Sequence, residues 1–139
     1  MFKKILIASD GSRGAYRALV AALQLAHAHK AKLDMICVEE TQWVPGSREE
    51  VIGEKELADR KFAEVVADAD AEAKRHRVKL TSHVVMGHAV PTIVEFIENG
   101  GFDLLVTGFM GHSALYNRII GSTTDRLVEL APCTVLVVK

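Results

Sequence analysis

Gly108-x2-Gly111-x9-Gly121-Ser122-Thr123 is the run of this chain whose residue types and spacing could do chemistry. It opens where the apolar stretch Leu104-Leu105-Val106 ends and closes where a helical pattern, Thr124 to Leu130, begins. Glycine lets a backbone approach a ligand and adopt φ > 0 without a Cβ clash. The first N–H groups of a helix lack intrahelical partners, and the positive end of its dipole attracts anions. A strand, a glycine-bearing loop and a Ser-Thr helix start therefore read as a cradle for a phosphate. Ser122 also fits an N-cap, with Asp125 three residues on as a weak capping box. Both roles are compatible, because a helix start that binds an anion is still capped. Nothing basic precedes Ser122, so the Gly-x4-Gly-Lys-Ser/Thr phosphate loop is absent. No Gly-x-Gly-x-x-Gly follows a strand, so the dinucleotide fingerprint is absent too.

Other candidates are sparser. Ser9-Asp10-Gly11-Ser12 follows the first apolar run. Asp10 could accept hydrogen bonds from a ribose or hold a metal. Alternatively it is a turn residue that bonds nearby backbone N–H groups. His112 and Arg118 lie in the nine-residue spacer and could offer positive charge to phosphates, or simply face solvent. Trp43 reads as peripheral packing on a loop. His27, His29, His76, His83 and His88 show no metal-ligand spacing. Cys37 and Cys133 fit neither a metal pair nor a redox pair and read as two buried structural thiols. Phosphoryl transfer needs metal clamps, a positioned nucleophile and charge on the transferring group. With no phosphate-loop lysine and no identifiable base, no catalytic residue is assigned, and binding takes precedence over turnover.

These residues need elements to position them. Five short apolar runs recur: Ile5 to Ala8, Met35 to Val38, His83 to Met86, Leu104 to Val106 and Val135 to Val138. Most are continuous, which suits strands covered on both faces of a parallel sheet. Helical stripes lie between them: Ala15, Leu19, Ala22 and Ala26; Ala58, Phe62, Val65 and Ala69; Val90, Ile93 or Val94, and Ile97; Leu127, Leu130 and Ala131. The second helix should run from about Arg48 to Arg77 with a charged, solvated outer face, and residues 40 to 47 form a loop at the carboxyl edge. Strands alternating with helices predict an α/β fold with right-handed crossovers. In such sheets ligands bind beyond the carboxyl ends of strands, where the strand order reverses. That reversal should fall between the first and fourth strands, where Asp10 and Gly108 meet.

The 139 residues suit one domain, 1–139, with a net charge of -1. That balance lacks the basic footprint of a nucleic-acid binder. No apolar run approaches the roughly 20 residues of a membrane span. The apolar run after Lys3-Lys4 is about half the minimum length of a signal-peptide core, and Asp10 interrupts it. A cytoplasmic protein is expected.

The spaced glycines, the stretch Gly111-His112-Ser113, the ending from Ala131-Pro132-Cys133 to Val138, and Ser9-Asp10-Gly11-Ser12 together resemble the universal stress protein family, in its ATP-binding branch. The resemblance covers the chain end to end. It implies a Rossmann-like, doubly wound, five-stranded parallel sheet in order 3-2-1-4-5 with helices on both faces. It implies a nucleotide-responsive stress factor that binds ATP, with Mg or Mn as candidate companions, and a slow ATPase or autophosphorylating phosphotransferase as the alternative. The implied binding set is Ser9, Asp10, Val38, Thr107, Gly108, Gly111, His112, Gly121, Ser122 and Thr123, with Val38 as a wall of the adenine pocket. A homodimer through the last strand is the implied assembly; a protein partner stays unnamed.

Overall fold

The computed structural model describes residues 1–40, 47–109 and 120–139. Their elements run β1 (Lys4–Ala8), α1 (Arg13–His29), β2 (Lys32–Glu39), α2 (Arg48–Arg75), β3 (Leu80–Met86), α3 (Ala89–Gly100), β4 (Leu104–Gly108), α4 (Ser122–Leu130) and β5 (Thr134–Val138). The strands form one parallel sheet in the order β3-β2-β1-β4-β5. That is the expected topology. Trp43, Gly111, His112 and Arg118 lie outside the described residues.

The sheet separates two cores because successive strand residues face opposite sides. On one side Ile5, Ile7, Met35, Cys37 and Val106 pack with α1 and α2. On the other, Leu6, Ala8, Ile36 and Leu105 meet Ile93 and Ile97 of α3 and Leu127 of α4. The central strands β1 and β4 are covered on both faces, which explains their unbroken apolar sequences. Edge strands β3 and β5 are only partly buried, and their continuous apolar runs overstate their coverage.

Three expectations need correction. α4 starts at Ser122 with Gly121 as its N-cap residue, so Ser122 is not the cap and makes no capping-box bond. α4 buries Thr124 and Leu127, whereas Leu130 is exposed and Ala131 lies past the helix end. Cys37 is fully buried, but Cys133 is only partly buried, in the bend before β5 and not within a strand. Its side chain packs at the margin of the second core.

Several tethers fix the frame at the amino edge of the sheet. The Asp103 carboxylate accepts the backbone N–H of Lys3 at 2.8 Å and of Lys4 at 3.1 Å, locking the start of β1 to that of β4. Among the described residues no helix is long and apolar enough to cross a membrane.

Candidate functional site

The turn between β1 and α1 is built from its own side chains. Asp10 Oδ1 accepts the Ser12 N–H at 2.9 Å, and Ser9 Oγ accepts the Gly11 N–H at 3.2 Å. Ser12 then caps α1 by accepting the Ala15 N–H at 3.1 Å. Gly11 sits at φ 81°, a conformation that side-chain-bearing residues rarely adopt, and this lets the turn close tightly. The turn role of Asp10 is thus present, and the same geometry leaves Asp10 at the mouth of a cleft. Its charge is felt below: burial pushes the Cys37 thiol up to about 11, Asp10 adds to the rise, and Lys61 opposes it.

The end of β4 is fastened to the start of α4. The Gly108 carbonyl accepts the Thr124 hydroxyl at 2.7 Å, and the Thr107 hydroxyl lies at 3.4 Å from the same oxygen. The Gly121 N–H donates to the Phe109 carbonyl at 2.8 Å. The first intrahelical bond of α4 runs from the Asp125 N–H to the Gly121 carbonyl at 2.9 Å. Helix geometry therefore aims the N–H groups of Ser122, Thr123 and Thr124 outward, with the positive end of the dipole behind them.

The glycines differ in what they do. Gly108 ends β4 and is not a loop residue. A Cβ there would stand 2.8 Å from the Gly14 carbonyl carbon and 2.9 Å from its oxygen, so this glycine admits the start of α1 against the strand. Gly121 has φ -62° and ψ 146°, open to any residue, so backbone strain gives no reason for glycine there.

These ends converge on a cleft of about 530 Å³ along the carboxyl edge of the sheet, within the usual size range of small-molecule sites. Its lining includes Ser9, Asp10, Val38, Thr107, Gly108, Gly121, Ser122 and Thr123. The chain's residues 1–139 match the model of the universal stress protein family. The chain belongs to that family. It is 32% identical to a universal stress protein of Thermus aquaticus, with all of both chains covered. Among solved structures it resembles universal stress protein UspA from Lactobacillus plantarum, at TM-score 0.87 and 24% identity over 99% of this chain and 98% of that one. It also resembles a universal stress protein in complex with cAMP, at TM-score 0.78 and 25% identity over 99% of this chain and 97% of that one.

In this universal stress protein the structure gathers eight of the ten candidate residues around one cleft; Gly111 and His112 lie outside the described residues. It also adds residues that the sequence reading missed. Lys61, Ala58 and Phe62 reach the cleft from α2, Ala89 and Ile93 from α3, and Glu39 and Glu40 from the end of β2. Nothing in the charged pattern of α2 distinguishes Lys61 from its solvated neighbours. The two glutamates did carry a signal, since paired charges directly after an apolar strand fall on its carboxyl end. Thr124 carried one as well, because it stands three residues before Leu127, on the same helix face.

Proposed function

We propose that the cleft binds an adenine nucleotide, ATP in the first instance, and that the protein acts in the cytoplasm as a nucleotide-dependent regulatory or protective module of the stress response. The observation that carries this reading is the convergence of three strand ends on the open N-terminus of α4. The phosphates lie against the N–H groups of Ser122 and Thr123 and beside Gly121, where no side chain intervenes. The ribose lies toward Asp10, and Val38 forms a wall for the base. A structurally similar universal stress protein was solved in complex with cAMP, which supports nucleotide binding. Among the described residues no group of three or more His, Cys, Asp or Glu side chains could hold a metal ion. Mg or Mn is proposed as a companion of the phosphates. We further propose a homodimer through β5.

Mass spectrometry of small molecules released from freshly purified, denatured protein tests the reading. An adenine nucleotide in near-stoichiometric amount is expected. A protein that carries none, and whose melting temperature does not move with millimolar ATP, contradicts it.

A further inference from the structure

Three carboxylates border the cleft, and their circumstances differ. Asp10 accepts the Ser12 N–H. Glu40 Oε1 accepts the Ala89 N–H at 3.0 Å, at the start of α3. Glu39 is only 7% exposed, more buried than many apolar residues of this chain, and lines the cleft. Among the described residues its carboxylate has no hydrogen-bond or ion-pair partner. The carboxylate oxygens themselves are not sealed from solvent, so a ligand that covers them displaces water and must supply a hydrogen-bond donor in its place. The backbone of Glu39 is not the reason for its place. Its carbonyl accepts the Gly87 N–H at 3.0 Å, a bond that any residue could make.

The sheet sets what this acceptor would meet. β2 pairs with β1, and β1 with β4. Neighbouring strands lie about 4.8 Å apart, so the end of β2 is about 10 Å from the end of β4. A mononucleotide laid across these ends with its phosphate at α4 passes Asp10 of the β1 turn and places its base over β2. Glu39 stands at that far end, two strands from the phosphate cradle. There a carboxylate offers only acceptors, and matches a base edge that presents N–H donors.

On the nucleotide reading above, we infer that Glu39 is a specificity-determining residue whose carboxylate accepts a hydrogen bond from the exocyclic 6-amino group of the purine. It rejects bases that present no donor there, because the carboxylate then gives up its water without gaining a partner. Val38 and Ile36, which also line the cleft, supply apolar contact that any purine would enjoy. The discrimination therefore rests on Glu39.

The test compares calorimetric affinities for ATP and for purine riboside 5′-triphosphate, which lacks only the amino group. The wild-type protein should prefer ATP by at least about tenfold, in keeping with a hydrogen bond to a charged group. Glu39→Met, of similar length but without an acceptor, should bring the two affinities within about twofold of each other. Glu39→Gln keeps an oxygen but no charge, and should reduce the preference at least about threefold; it serves where the methionine variant does not fold. Equal binding of both ligands by the wild type, or an unchanged preference in a folded Glu39 variant, overturns the inference and leaves the nucleotide reading intact. Equal weakening of both ligands also overturns it, because Glu39 then serves the ribose, a metal or the fold. Failure of the wild type to bind either ligand overturns the nucleotide reading and this inference with it.

Discussion

At the scale of single residues, glycines of similar appearance in the sequence serve different physical ends. Gly11 is needed for its dihedral and Gly108 for the space it leaves to Gly14, whereas the dihedrals of Gly121 do not call for glycine. Spacing could mark all of them as special, but only packing separates their roles. Gly108→Ala would press a methyl against the backbone of α1. It should cost about 1–3 kcal/mol of stability, as overpacking does, read as a lower urea midpoint with an unchanged slope. An unaltered midpoint would mean that α1 shifts freely and that Gly108 has no packing role. Asp10 was legible as a site residue because it follows a strand. Lys61 was not, because its approach to the cleft depends on how α2 crosses the sheet.

At the scale of elements, α1 and α2 are joined by more than their apolar faces. Tyr16 of α1 donates to the Glu72 carboxylate, which also takes Arg75 and faces His76 at 3.1 Å. Arg75 foremost, then Tyr16, hold the Glu72 carboxyl at about 2, below the usual carboxylate value of about 4.3. A carboxyl depressed on folding stabilises above its unfolded value, and that contribution is lost as the pH falls toward the folded one. Glu72→Gln should therefore melt below the wild type near pH 7, with the gap closing between about pH 4.5 and pH 2. A gap constant across that range would show that the charge of Glu72 does not link the helices. The existence and order of the elements along the chain were legible, because short continuous apolar runs alternate with stripes of period 3.6 in the sequence. The helix stripes of α1, at Ala15, Leu19, Ala22 and Ala26, are buried as expected. The Glu72 cluster was not legible: its members are 56 residues apart, and only the crossing of two helices brings them together.

At the scale of the whole molecule, β5 forms an edge of the sheet, pairing with β4 on one side. Leu136, its middle residue, is 37% exposed. Apolar edges of this kind invite pairing with another chain. In the proposed dimer an antiparallel pairing centred on that residue would set the two copies of Leu136 opposite each other. Leu136→Glu then opposes like charges and should shift the protein toward monomer in light scattering at tens of micromolar. A wild-type protein that is monomeric under those conditions would remove edge pairing from the account.

The central claim is that the start of α4 holds the phosphates of an adenine nucleotide, and titration calorimetry of ATP into wild-type protein and Gly121→Val tests it most directly. The φ of Gly121 suits valine, so the variant should fold with the loss of about 1 kcal/mol that a poorer N-cap residue brings. Its side chain would stand where the phosphate must approach the backbone. Losing one charge-assisted hydrogen bond costs about 1.5–3 kcal/mol, equivalent to tenfold or more in affinity. The account predicts one ATP per wild-type chain and binding at least tenfold weaker in the folded variant. Equal affinity in the two proteins would contradict it.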